Sequence, residues 1–94
     1  MKLKIRYLNL IGFNLNKKTE EIEVPEKTRI LDLFGILAEK HGEKFSKFLY
    51  DPENRTIKSN ALVIINGEII RDPNMVLDVP EDAELAIGVI AAGG

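Results

Sequence analysis

The chain has 94 residues, of which 45% are hydrophobic and 30% charged, so it can build one compact domain with its own core. Cysteine is absent and the formal net charge is -2, which excludes disulfides, thiolate metal sites and cysteine nucleophiles, together with a strong general attraction for nucleic acid. No apolar run approaches the ~20 residues that a membrane-spanning helix needs. Met1-Lys2-Leu3-Lys4-Ile5-Arg6 alternates, where a secretory signal would be continuously apolar, so a cytoplasmic protein is expected.

In chain order, Leu3, Ile5 and Tyr7 alternate with Lys2, Lys4 and Arg6, the pattern of a half-buried strand. Leu8 and Leu10 then fall on the parity of the basic residues and extend an apolar patch there. Gly12 to Lys18, with its glycine and two asparagines, reads as a loop. Glu20 to Val24 alternates again, with Ile22 and Val24 inward and Glu21 and Glu23 outward, and returns as a hairpin. Pro25 ends it.

Thr28 is a suitable N-cap, because its hydroxyl can accept from an orphan backbone N–H. Ile30, Leu31, Phe34, Leu37, Ala38 and His41 recur at helical spacing, and Gly42 can close the helix, which predicts a helix from Arg29 to His41. Between Glu43 and Ala61 no period is clear, yet Phe45, Phe48, Leu49 and Tyr50 are too apolar for a free linker. Asp51-Pro52-Glu53-Asn54 signals a turn. Leu62 to Ile65 reads as a buried strand. Asn66-Gly67 is a hairpin signal, since both residues tolerate positive φ, and Glu68 to Ile70 returns from it. Asp72-Pro73-Asn74 is another turn. Glu84 to Ile90 is a last strand, with Leu85, Ile87 and Val89 on one face and Ala86 and Gly88 on the other. The element order is α+β, with the helix covering one face of a sheet.

No catalytic constellation emerges. The single histidine, His41, ends a helical stripe and reads as a packing or helix-terminus residue. Asp78, Glu81, Asp82 and Glu84 lack the spacing of a cation-binding loop and read as a solvated turn. Gly67 and Gly88 match no phosphate-binding fingerprint. Lys2, Lys4 and Arg6 read as the wet face of a strand.

The tail differs. Ala91-Ala92-Gly93-Gly94 follows an apolar strand and carries no large side chain. Fully extended it reaches ~13 Å, and glycine passes through channels too narrow for other residues. The bland alternative is a frayed terminus. The expected organisation is a domain over residues 1–90 and a flexible tail over 91–94.

The segments Thr28-Arg29-Ile30-Leu31-Asp32-Leu33, Ala38-Glu39-Lys40-His41-Gly42, Phe48-Leu49-Tyr50-Asp51, Val63-Ile64-Ile65-Asn66-Gly67-Glu68, Leu77, Glu81-Asp82-Ala83-Glu84-Leu85-Ala86-Ile87 and Gly93-Gly94 follow one another in an order that resembles the ubiquitin-like β-grasp sulfur carriers. The likeness is to the small subunit of molybdopterin synthase in particular. It departs from that pattern at Val89 and Ile90, where relatives often carry proline, and at Glu81-Asp82-Ala83, where they often have Asp-Gly-Asp. The resemblance implies a mixed sheet of four to five strands on one main helix. It implies a carrier and co-substrate, with catalytic groups on its partners.

A ubiquitin-activating-type enzyme would adenylate the carboxylate of Gly94 using ATP and magnesium. A persulfide would then displace AMP and leave a thiocarboxylate. The molybdopterin synthase large subunit would accept the tail and pass its sulfur to the pterin of a molybdenum or tungsten cofactor. Nothing in the resemblance implies a permanently bound cofactor, a membrane or a nucleic acid. One alternative is a modifier joined through Gly94 to lysines of target proteins; another is a non-catalytic β-grasp interaction module with an inert tail. Because first and last strands are neighbours in a β-grasp sheet, Leu8, Leu10, Ala86, Gly88 and Ile90 are expected to form an exposed apolar docking patch at the base of the tail, unless residues 43–61 cover Leu8 and Leu10.

Overall fold

In a computed structural model the protein is described over residues 1–90; the expected tail, Ala91 to Gly94, lies outside the described residues. The elements are β1 (Lys2–Tyr7), α1 (Asn9–Leu15), β2 (Thr19–Glu23), α2 (Ile30–His41), α3 (Glu43–Leu49), β3 (Tyr50–Asp51), β4 (Thr56–Ile57), β5 (Ala61–Ile65), β6 (Glu68–Ile69) and β7 (Glu84–Val89). Five strands form one mixed sheet in the order β2-β1-β7-β5-β6, and β3 and β4 form a separate two-stranded ribbon. At the centre of the sheet β1 runs parallel to β7, with Ile5 beside Leu85 and Tyr7 beside Ile87. The chain's first and last described strands are therefore neighbours, as expected.

The alternation of β1 resolves as expected: Leu3, Ile5 and Tyr7 are buried and the basic residues between them are exposed. The apolar stripe of α2, formed by Ile30, Leu33, Phe34 and Leu37, lies against this inner face of the sheet together with Val63, Ile65, Leu85 and Ile87. Phe34 meets Phe45 of α3 edge-on, with ring centres 5.5 Å apart, which ties the irregular middle of the chain to the core. The Asn66-Gly67 turn takes φ of 49° and 85°, the positive values a two-residue hairpin requires.

Two expectations change. The stretch read as a loop from Gly12 is largely helical: α1 occupies Asn9–Leu15 and closes at Asn16, whose left-handed backbone donates to the carbonyls of Gly12 and Phe13. A seven-residue helix shows too few turns to display a periodic stripe, and its stability comes from packing, with Ile11 fully buried. Thr28 does not cap α2. Its hydroxyl donates backward to the Pro25 carbonyl at 2.6 Å, and Arg29 stands at the cap position without a side-chain bond. The helix start is held by tertiary pairing instead. Ile30 N–H donates to the Leu77 carbonyl at 3.1 Å, and Val79 N–H donates to that of Thr28 at 2.8 Å. Residues 43–61, where no period is clear, pack on the domain as their apolar content predicts: they form a helix followed by a short β-ribbon, with Phe45, Leu49 and Tyr50 buried and Phe48 packed against the core.

One buried polar cluster joins sheet to helix. Glu20 occupies an inward position of β2, and its side chain is 2% exposed. Oε1 accepts from the Tyr7 hydroxyl at 2.6 Å and lies 2.8 Å from Nε2 of His41. Oε2 lies 2.6 Å from the Lys40 ammonium and 3.5 Å from that of Lys17. Burial pushes the Glu20 carboxyl upward, but hydrogen bonds from Lys40, Tyr7 and His41 outweigh it and bring the pKa from 4.5 down to about 2. Burial first, and then the hydrogen bond to Glu20 and its charge, push Tyr7 well above its ordinary value. His41, read from sequence as a packing residue, does pack edge-on to Tyr7, and is also a member of this cluster.

Candidate functional site

Among the described residues no helix covers the face of the sheet opposite α2, and its chemistry changes from one edge to the other. Directly paired residues share a face. Thr19, Arg6, Ala86, Ile64 and Ile69 therefore line one row across β2, β1, β7, β5 and β6. A second row runs Leu8, Gly88, Leu62, since Leu62 pairs with Gly88 and Leu8 lies on it. The β2–β1 half is polar, with Lys2 and Glu21 paired at 3.6 Å. The β7–β5–β6 half is apolar. A shallow hollow of about 650 Å³ spans the junction and touches Lys4, Arg6, Ile64, Asn66, Glu84 and Ala86. A groove of about 610 Å³ on the β5–β6 side is walled by Leu62, Ile69, Ile70 and Ile90 together with the polar residues Lys58, Arg71, Asp72 and Asn74.

The residues expected to form a docking patch are only partly brought together. Ala86 lies half-buried on the open face, and Leu8 half-buried just past the end of β1. Ile90, just past β7, is half exposed in the groove with Leu62 and Ile69, its N–H donating to the Asn60 carbonyl at 2.7 Å. Gly88 is buried, not exposed. A Cβ there would come within 2.9 Å of the Leu8 Cβ, so Leu8 covers it. Leu10 leaves the patch altogether: β1 ends at Tyr7, and Leu10 stands 46% exposed on α1. The cover foreseen from residues 43–61 does not hide it. Three apolar residues of this face were missed, Leu62, Ile64 and Ile69. Reading Leu62 to Ile65 as uniformly buried concealed the alternation of β5, in which Leu62 and Ile64 take the outer parity.

Gly93 and Gly94, with Ala91 and Ala92, lie outside the described residues, so the geometry shows only where the chain leads toward them. It leads out of the central strand β7, at the apolar end of the open face. Among the described residues no group of three or more His, Asp or Glu side chains could hold a metal ion, and no helix is long and apolar enough to cross a membrane.

No family model and no curated protein matches the sequence. Solved structures do match. Small archaeal modifier protein 1 from Haloferax volcanii superposes with a TM-score of 0.77 at 17% identity, over 100% of both chains. A putative molybdopterin converting factor subunit 1 from Pyrococcus furiosus gives 0.70 at 21% identity, covering 97% of this chain and 99% of that one. The complex of subunits 1 and 2 of molybdopterin-converting factor from Helicobacter pylori gives 0.60 at 16% identity, with 100% of both chains covered. With its mixed sheet, its main helix on one face and these structural relatives, the chain has the ubiquitin-like β-grasp fold.

Proposed function

We propose that the chain is a sulfur carrier whose working group is the carboxylate of Gly94. The observation that carries this reading is the course of β7. This central strand leads into Ile90, the last described residue, at the edge of an exposed apolar sheet face, where a partner can grip the domain close to the terminus. Ala91 to Gly94 carry no side chain larger than a methyl group, which suits a narrow channel in that partner.

A carboxylate is a poor electrophile. Attack of its oxygen on the α-phosphorus of ATP, on a ubiquitin-activating-type enzyme that supplies magnesium, expels pyrophosphate and gives an acyl-adenylate. The terminal sulfur of a persulfide then attacks the acyl carbon and AMP leaves. A second thiol cleaves the resulting disulfide and frees the thiocarboxylate. Likeness to molybdopterin converting factor subunit 1, found also in complex with its subunit 2, supports a large molybdopterin synthase subunit as the acceptor. The chain is then a co-substrate in the cytoplasm, with the catalytic groups on its partners.

A second reading is supported by the likeness to a small archaeal modifier protein: a target lysine attacks the same acyl group and forms an isopeptide bond. The two readings differ only in the nucleophile.

Intact-mass analysis after incubation with an adenylating enzyme, ATP, magnesium and a persulfide donor tests the proposal. Replacement of one terminal oxygen by sulfur is the expected result. Adducts on lysines of added proteins would select the modifier reading. A chain unchanged in both assays, with an enzyme active on its own carrier, would leave only an interaction module.

A further inference from the structure

A different surface lies on the outward side of α1. Phe13 is 84% exposed, more than any other large apolar side chain among the described residues, and Leu10, one turn earlier, is 46% exposed. This pair is not a remnant of the core, because the inward side of α1 is already filled by Ile11 and Leu15. Nor is α1 loosely held. A Cβ at Gly12 would stand 2.8 Å from the Tyr7 carbonyl oxygen, so the helix sits directly on the end of β1. Asn14 donates to the Lys44 carbonyl at 2.7 Å and ties α1 to α3. Phe13 is thus displayed from a fixed base.

Beside it opens a cleft of about 920 Å³, lined by Phe13, Asn9, Asn16, Arg6, Lys17 and Lys18 among others. Among the described residues Arg6 and Lys18 enter no ion pair. Lys17 shares Glu20 with the closer Lys40. The result is an aromatic anchor beside a cationic rim. Its complement is a segment carrying carboxylates around an apolar side chain.

A single-stranded nucleic acid fits less well: Phe13 offers one stacking face, but Leu10 beside it offers none, and a chain of net charge -2 has few cations to track a phosphate backbone. A second copy fits less well too. Its acidic turn at Glu81, Asp82 and Glu84 has Val79 and Ala83 buried. The stretch where exposed Met75 and Val76 stand between Asp72 and Asp78 carries only two carboxylates, with Arg71 beside them and Asp72 already accepting from Asn74 N–H.

The geometry points to the α1 surface of this chain as a docking site for an acidic segment of a partner protein, anchored by an apolar side chain on Phe13; it adjoins the open sheet face at Arg6 and Leu8 and includes none of Leu62, Ile64 and Ile69. Asn9, at the head of α1, donates to the Val89 carbonyl at 3.4 Å, so the site adjoins the end of β7, and its docking residues are Phe13, Arg6 and Lys18.

The test titrates the full chain with a short synthetic peptide alternating Glu with Leu and Phe, followed by backbone amide chemical shifts. Its Lys-for-Glu counterpart and an oligouridylate serve as competitors. Saturable shifts centred on residues 9–18 and weakened by added salt are expected. Phe13→Ser should weaken binding at least about fivefold, as removal of a central anchor does. Lys18→Glu, at an exposed position where folding is not at risk, should reduce both the affinity and its salt dependence. Deleting Gly93 and Gly94 should leave binding unchanged, which separates failure of this site from failure of the tail. Shifts absent from α1, equal binding of the Lys peptide, preference for the oligouridylate, or self-association abolished by Phe13→Ser would each overturn the assignment.

Discussion

Glu20 shows how one buried side chain links pH to stability. Its pKa is 4.5 in the ordinary case and about 2 when folded, so the folded state holds the ionised form more tightly than the unfolded chain does. A depressed carboxyl stabilises above the unfolded pKa, and that contribution disappears as pH falls through the folded one. The shift corresponds to roughly 3 kcal/mol. Urea titrations at pH 7, 4 and 2 should show stability falling between the unfolded and folded pKa values of Glu20, and Glu20→Gln should flatten that fall. Tyr7→Phe removes a 2.6 Å hydrogen bond to the carboxylate and should cost about 1.5–3 kcal/mol at neutral pH, measured as a lowered urea midpoint at unchanged slope. The parity of Glu20 beside Ile22 and Val24 was visible in the sequence. Its meeting with Tyr7 and His41, 13 and 21 residues away, was not, because it requires the hairpin and the helix to close on each other first.

At the scale of elements, β1, β2, β7 and α2 were legible because each repeats a burial pattern over five or more residues, whereas the alternation of β5 was hidden in a continuous apolar run. Of the short pieces only β6 was, through the Asn66-Gly67 turn signal; α1, β3 and β4 were not. Whether α1 forms depends on Gly12, which alone leaves room for the Tyr7 carbonyl. Gly12→Ala raises helix propensity, by about 1 kcal/mol at most, yet forces a methyl group to 2.8 Å from that oxygen. The net result should be destabilising by about 1–3 kcal/mol, seen as a lowered thermal midpoint, and should free the α1 amides to exchange. Asn74 acts as a substitute strand for β4: its Oδ1 accepts from Ile57 N–H at 2.7 Å, and its Nδ2 donates to the Ile57 carbonyl at 2.9 Å. Asn74→Ala should cost about 1–3 kcal/mol for two hydrogen bonds and should accelerate hydrogen exchange at Ile57 before it affects β5 or β7. In the sequence Asn74 was visible only as a turn residue, since its partner stands 17 positions earlier.

At the scale of the whole molecule, one sheet face is sealed by α2 and the other is left open, and the candidate site follows from that asymmetry. Ile64 lies half-buried at the centre of the open face, between Ala86 and Ile69. Ile64→Lys should therefore keep the fold, shifting the thermal midpoint by only a few degrees, while slowing adenylation at least tenfold by placing a charge in the proposed docking surface. Unchanged adenylation kinetics would remove the open face from the proposed function. A substitution at Gly88 cannot serve this test, because any side chain there collides with Leu8 and confuses docking with folding.

The sequence by itself determined the class of fold, the inner residues of β1, β2 and β7, the extent of α2 and the Asn66-Gly67 hairpin. Each of these is written in local periodicity or in the backbone preferences of single residues. Only the tertiary structure decided that Leu10 leaves the sheet, that Gly88 is covered, that Leu62, Ile64 and Ile69 join the open face, and that Glu20 is held by groups from a strand and a helix. Those outcomes depend on which strands become neighbours and in what register, and they arise from contacts between residues far apart in the chain, which no local pattern encodes.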